Sequence, residues 1–437
     1  MTKNLLLLLL LWSFTLSAQQ EIGLHFNRDL WQSNRTNPAF TTNQQLTVTL
    51  PSLYFNTETE NFAFSDLLSE NESGETILNI NQIIGQLADR NELSENLQIQ
   101  TLGIAYQLGK LTLSVDHSIR QNATFDYPKT LPQLIWQGNA QFIGETVDLT
   151  HQLNLTAYHE FALGGAFQVT EQLSVGARAK LLSGIGNIST ERGDLTLTTS
   201  DDVYQLTLAG DYLINSAGYF DFGGFSDFNL DFDLSGLGSG EFLSSNTGLA
   251  FDFGAELQLE KLTIAVSIVD LGSINWSDNV NNYGFNQTVE YTGLDVAQAY
   301  VEGDISLTSA LDTLDQIFNP TETQVTYSTT LPSRFYLSGT YEINEKLTAG
   351  ALFNGLMYNE QLTPTVAASL RYRLNDNLSV GGTYAVIDET YANVGLNVNA
   401  QLGFVQFYAL TDNVVGLLNS DYNNANARIG LNLQFGN

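Results

Sequence analysis

The chain contains no cysteine in its 437 residues, so neither a disulfide framework nor metal–thiolate chemistry is open to it. Basic residues are scarce as well: 16 Lys and Arg stand against 47 Asp and Glu, a formal net charge of −31. That balance excludes nucleic acid as a partner and peripheral docking on anionic lipid, because both need basic patches. Charged residues of all kinds make up 14%, well below the roughly 25% of an ordinary soluble domain. Beyond the first twenty positions no run approaches the roughly 20 apolar residues of a spanning helix, so any membrane crossing must be made by strands. A phosphate loop, zinc-ligand spacing, an EF-hand and a Ser–His pair with an orienting carboxylate are also missing. The sequence therefore offers no catalytic centre, no metal site and no cofactor.

What it does contain is alternation. From Pro332 to Asn413 the chain reads as a ladder of antiparallel hairpins. Phe335, Leu337, Tyr341 and Ile343 share one face against Arg334, Ser338, Thr340 and Glu342; Val366, Ala368, Leu370 and Tyr372 share one against Thr365, Ser369, Arg371 and Arg373. The period is two, so these are strands. Each is about ten residues long, the length of a transmembrane β-strand with an apolar outside and a polar lumen. A soluble sandwich shows the same alternation in the opposite sense, and the chain ends decide between the two. Lys3, the apolar run Leu5 to Trp12 and the small residues up to Ala18 form a secretory signal peptide, expected to be cut after Ala18. Ile429, Leu431, Leu433 and Phe435 form an amphipathic closing strand with an aromatic near its end. The expected fold is all-β: an antiparallel transmembrane β-barrel with outer-membrane lipid around it, a short N-terminal plug and small helices in its loops. Its parts are residues 1–18 as signal peptide, 19–44 as a plug or lead-in segment, and 45–437 as barrel.

Turn lengths set the strand count. Tight connections occur at Gly109-Lys110, Thr170 to Gln172, Glu260-Lys261, Asn344 to Lys346, Asn375 to Asn377 and Gln401 to Gly403; long ones fall between them at 56–96, 126–146, 191–245, 277–324 and 412–426. If every tight turn closes an even-numbered strand, there are fourteen strands and all long loops lie outside the cell, as in bacterial barrels. Residues 193–215, which also alternate, are then an external hairpin; sixteen strands is the alternative. Ile80, Ile83, Ile84 and Leu87 predict a helix over 76–90, and Leu307, Leu311, Leu314 and Phe318 another in 277–324. Residues 218–243 carry Tyr219, Phe220, Phe222, Phe225, Phe228, Phe232 and Phe242, an aromatic entrance or a hairpin packed on itself.

Candidate site residues are the charges on the polar phase of their strands. On a lipid face near the midplane each Arg or Lys would cost about 2–4 kcal/mol, so Arg178, Lys180, Arg371, Arg373, Asp252 and Glu256 are expected in the lumen. They either form a salt-bridged interior or bind an anionic solute group or acidic residues of the plug. His117, His151 and His159 fall in phase with Leu113, Val115, Leu153 and Leu155, which places them toward lipid or its interface.

Asn37-Pro38-Ala39-Phe40 resembles the Asn-Pro-Ala element near the N-terminus of FadL-type fatty-acid transporters and of barrels associated with the Bacteroidota secretion and gliding machinery; a Pro turn before the first strand is the alternative. Gly138-Asn139, Gly176 to Gly184 with Arg178 and Lys180, Asp270-Leu271-Gly272 followed by Trp276, Leu331 to Phe335, Thr411 to Asn413 and Phe435-Gly436 resemble, in this order, an uncharacterised family of Bacteroidota outer-membrane barrels. The resemblance covers most of the mature chain. It implies FadL-like architecture and Asn37, Pro38 and Ala39 as a plug motif. The expectation is a FadL-like channel for small or hydrophobic solutes, with a hydrophobic or anionic molecule as its partner. The alternative is a non-transporting barrel with secretion or motility components as partners.

Overall fold

In a computed structural model the described residues are 21–70, 76–201, 205–222, 228–230, 242–291, 320–358, 361–387, 390–419 and 421–436. The expected signal peptide, most of the aromatic stretch 218–243 and the expected helix around 307–318 lie outside them.

Fourteen antiparallel strands close on themselves. β1 runs in two pieces, Leu46–Thr49 and Ser52–Thr59. After it come β2 (Arg90–Leu108), β3 (Leu111–Pro128), β4 (Gln152–Gln168), β5 (Leu173–Thr199), β6 (Thr247–Leu259), β7 (Leu262–Trp276) and β8 (Ser333–Asn344, led by Tyr327–Thr330). The ring continues with β9 (Leu347–Tyr358), β10 (Gln361–Asn375), β11 (Leu378–Ile387), β12 (Thr390–Leu402), β13 (Val405–Thr411) and β14 (Asn424–Phe435). β14 pairs with β1 in the register Leu46↔Phe435 and Leu53↔Ile429, which leaves no free sheet edge. Pro51 cannot donate to the ladder, and the register between β1 and β14 slips by one residue across it, so the phase of β1 changes there.

The outer wall is apolar and uncovered: Leu163 is 66% exposed, Leu370 57% and Leu396 47%. Their neighbours one residue away, Ala162 and Asn397, are buried inside. Such a girdle is stable only against lipid, and the closed ladder satisfies every strand's backbone groups within it. The protein is an integral outer-membrane barrel. The six tight turns share one end, where Phe404 and Phe435 stack with ring centroids 5.6 Å apart. Gly109 and Gly403, both near φ +62°, make two of these turns where a side chain would be strained.

At the opposite end, which carries the long loops, β5 rises past the barrel and pairs with Leu206–Gly218, which pairs with Asn281–Tyr291. This external sheet, containing the 193–215 hairpin, has its own apolar core of Phe142, Leu149, Leu155, Ile188, Tyr212 and Phe285 among others. It corrects one reading: His151 is buried here, its Nδ1 on the Leu149 carbonyl (2.9 Å) and its Nε2 on Tyr212 Oη (2.9 Å). The residue lies above the span, where the apolar phase faces the hairpin and not lipid. His117 and His159 meet each other at 3.1 Å, and Phe242 packs against both rings. The helix expected over 76–90 is confined to Ile80–Gln86, because Thr76–Leu78 pairs as a strand with Leu68–Glu70.

Candidate functional site: a packed lumen

The N-terminal segment from Glu21 to Phe40 runs through the barrel. Its one α-helix, α1 (Ile22–Phe26), has no side-chain cap of its own. Asp412, at the end of β13, supplies the acceptor instead: its carboxylate takes the Ile22 N–H at 3.1 Å and the Gly23 N–H at 2.7 Å. Two orphan donors and the positive end of the helix are thus met by one buried acid from the wall. Ile22 and Phe26 pack on Tyr336, Leu352, Ala367 and Ile387, while Leu24 and Leu30 pack on Tyr408 and Leu410. His25 bridges Thr36 Oγ1 (2.9 Å) and Ser338 Oγ (2.8 Å) and stacks on Tyr336. Burial, reinforced by the nearby Arg28 charge, lowers its pKa to about 3, so the ring is neutral.

Asn37-Pro38-Ala39 lies flat against the wall. Asn37 Oδ1 accepts the Ala39 N–H at 2.9 Å, closing a local turn, and its Nδ2 donates to the carbonyls of Ala255 and Val266 at 3.3 and 3.2 Å. The wall at this spot is made of paired glycines, Gly176↔Gly254. A Cβ on Gly176 would sit 2.2 Å from the Pro38 carbonyl, and one on Gly254 would sit 2.0 Å from Asn37 Oδ1. The glycines are there because backbone passes over them.

Each charge of the segment is matched to a wall residue. Arg28 pairs with Glu256 on β6, Glu21 with Arg428 on β14, and Asp29 with Arg371 (2.7 Å) and Arg373 (3.9 Å) on β10. Arg35 reaches Asp116 (3.1 Å) and Ser118 (3.1 Å) on β3 and Glu160 (3.0 Å) on β4. Gln32 bonds Asn432 at 2.8 Å. Around Arg35 the wall holds an ionic cluster. Arg178 binds Asp116 at 2.8 Å, Lys180 binds Asp270 at 2.6 Å and Asp252 at 2.8 Å, and Arg120 binds both Glu160 and Asp270 at 2.9 Å. Arg334 stands 3.6 Å from Asp270. Four carboxylates face five cations, so the interior is nearly neutral despite the acidity of the chain.

Asp270 owes its place to a bulge in β7. Its φ is +63°, and Val269 and Asp270 both turn inward at the slip opposite Phe251–Phe253. Its own N–H is held by Asp252 Oδ1 at 2.7 Å. Six candidate residues thus divide into three places: Arg178, Lys180 and Asp252 in the cluster, Glu256 beside Arg28, and Arg371 with Arg373 around Asp29. The sequence did not mark Glu160, Asp270, Arg35 or Asp412 as site residues. Glu160 has a signal in its polar phase between His159 and Phe161, and Asp270 has one in the broken alternation of Val269-Asp270. Arg35 and Asp412 sit in aperiodic segments, where sequence carries no phase.

The segment divides the lumen. Below it, toward the tight turns, a vestibule of about 870 Å³ is bordered by Arg28, Asp29, Glu256, Glu342, Arg371 and Arg373. Beside the cluster only about 30 Å³ is free, room for a water. At the mouth with the long loops a chamber of about 220 Å³ opens between β4, β5, β9 and the lead-in to β8.

A family model described as "Family of unknown function (DUF5723)" matches residues 38–412. No curated protein sequence matches the chain. Among solved structures the chain is similar to the Ralstonia pickettii toluene transporter TbuX, at 12% identity and a TM-score of 0.46 over 93% of this chain and 94% of that one. It is also similar to the P. putida toluene transporter TodX (9%, 0.44, 92% and 93%) and a Pseudomonas aeruginosa FadL homologue (9%, 0.39, 91% and 92%). At these identities the likeness concerns the barrel fold alone.

Proposed function

The chain belongs to this family of unknown function, and from that premise we propose that it is a plugged outer-membrane channel of FadL-like type for small solutes, with residues 19–44 as the plug. The observation that carries the reading is the course of Glu21–Phe40 through the lumen, with a vestibule of about 870 Å³ on one side of it and a chamber of about 220 Å³ at the opposite mouth. Every contact holding that segment is non-covalent and reversible. The similarity to toluene transporters makes hydrophobic molecules such as toluene the first class to compare with polar solutes. No enzymatic role is proposed.

The second reading is a closed barrel that serves as a structural or docking element of a secretion or motility apparatus. The mutual pairing of nearly all lumenal charges favours it, because such pairing fixes the wall as firmly as it fixes a plug. Planar-bilayer recording separates the two. Full-length protein should be closed at rest with rare openings, and a variant lacking residues 21–44 should conduct continuously and admit small solutes to liposomes. A deletion variant that inserts as a folded barrel yet stays closed would overturn the channel reading.

A further inference from the structure

The extracellular chamber differs in chemistry from the rest of the lumen. The vestibule below carries three cations and four carboxylates, Arg28, Arg371 and Arg373 against Asp29, Glu256, Glu342 and Asp376. The chamber is lined by amides, hydroxyls and two tyrosines, with Glu191 its one ionisable group besides them. Several of these groups are set in advance. Asn187, fully buried, donates to the Leu155 carbonyl (2.9 Å) and to Thr156 Oγ1 (2.8 Å), and accepts the Tyr327 hydroxyl (2.8 Å). That last bond ties the lead-in of β8 to β5 and fixes the Tyr327 ring at the chamber wall. On the other side Asn282 donates to Asn215 Oδ1 at 2.8 Å, and Asn215 donates to Glu191 Oε2 at 3.1 Å. The relay orients the carboxylate by one oxygen, and among the described residues the other accepts no hydrogen bond.

Resting on the channel reading above, we infer that this chamber is a binding site for a neutral, hydroxyl-rich solute of about monosaccharide size. Its volume of about 220 Å³ lies below the ~300–1,000 Å³ of sites for drug-sized ligands. A ring of fixed donors and acceptors rejects a molecule without hydrogen-bonding groups, since entry would leave them unpaired. An anion finds no Lys or Arg there and meets Glu191. A polyol satisfies the amides and hydroxyls, donates one hydroxyl hydrogen bond to Glu191, and can lay an aliphatic ring face on Tyr327 or Tyr358.

Isothermal titration of the full-length protein in detergent tests this with four probes no larger than a monosaccharide derivative: D-glucose, gluconate, glucosamine and toluene. Glucose should bind in the millimolar range, and gluconate and toluene should give no saturable heat. Glu191→Gln should weaken glucose at least fivefold. Ser328→Val, at the exposed rim of the chamber, should weaken it about threefold without touching the folded interior. Glucosamine binding tenfold tighter than glucose would make this a cation site and overturn the assignment, as would saturable binding of toluene, or no binding of glucose. Conductance of the variant lacking 21–44 reports separately on the channel: if that variant conducts and glucose fails to bind, only the chamber assignment falls; if glucose binds and the variant stays closed, only the channel reading falls.

Discussion

Arg35 gives the most exacting prediction about the lumenal segment. Its side chain is 8% exposed and donates to Asp116, Ser118 and Glu160 on two adjacent strands. Removing one partner of a buried ion pair costs about 3–5 kcal/mol when the other charge is left uncompensated. Here the carboxylates keep other partners, Asp116 the Arg178 guanidinium at 2.8 Å and Glu160 the Arg120 guanidinium at 2.9 Å. The loss in Arg35→Ala therefore belongs at the low end, about 3 kcal/mol, and it falls on docking of the segment and not on the wall. At 1.4 kcal/mol per factor of ten, the undocked population rises roughly a hundredfold. Single-channel recording should show opening events more frequent by about that factor, and protease added from the periplasmic side of outer-membrane vesicles should cut within 21–40. Arg192→Ala removes an exposed pair with Asp211, worth at most ~1 kcal/mol, and should change neither. If Arg35→Ala and Arg192→Ala behave alike in a barrel that remains folded, the reasoning about this segment is wrong.

The same geometry yields further tests. Gly176→Ala should displace the segment, because its Cβ would meet the Pro38 backbone at 2.2 Å; Gly165→Ala, where the nearest atom is 3.8 Å away, should be silent in the same recordings. Leu370→Arg should block assembly at a cost of about 2–4 kcal/mol on the lipid face, and Ser369→Arg, which borders the vestibule, should assemble; equal assembly of both would reverse the assigned faces. Epitopes inserted in 218–243 or 290–318 should label on intact cells, and epitopes at Glu345 or Asp376 only after the outer membrane is permeabilised. His25 is held neutral, its pKa depressed from 6.5 to about 3, so its contribution to docking is complete above about pH 6.5 and lost as pH falls toward 3. Wild-type openings should rise over that window more than those of His25→Gln, and identical pH profiles would refute the role of the imidazole.

Much of the wall was legible because a lipid-facing strand has one job per face. Leu370 and Leu396 point out and Asn397 points in by simple parity, and the parity of the six tight turns points to fourteen strands over the alternative of sixteen, the number the structure has. Parity fails where a residue is added. The bulge at Asp270 turns two successive side chains inward, and the break at Pro51 changes the phase of β1 in mid-strand. It also says nothing above the membrane, where His151 keeps the phase of lipid-facing residues yet bonds Tyr212 in the external hairpin. The lumenal segment was legible as a stretch without strand pattern that carries Asn37-Pro38-Ala39, but its pairings with the wall were not. Arg371 and Arg373 belong with Asp29, a residue 342 positions from Arg371, and Asp412 caps a helix 389 positions from it at Gly23. Pairings across such distances depend on the closure of the ring and leave no local periodicity.

The claim that residues 19–44 close this barrel is tested most directly by exchanging one charge pair across the boundary between segment and wall. Arg28 and Glu256 are hydrogen-bonded partners, one in the segment and one on β6 beside the vestibule. Conductance is measured for Arg28→Glu, Glu256→Arg and the double variant. Each single exchange places like charges in contact and should open the channel, and the double exchange restores an opposite pair and should return it to the closed resting state. If both single variants stay closed, or the double variant is as open as either, the segment does not close the lumen through the contacts described.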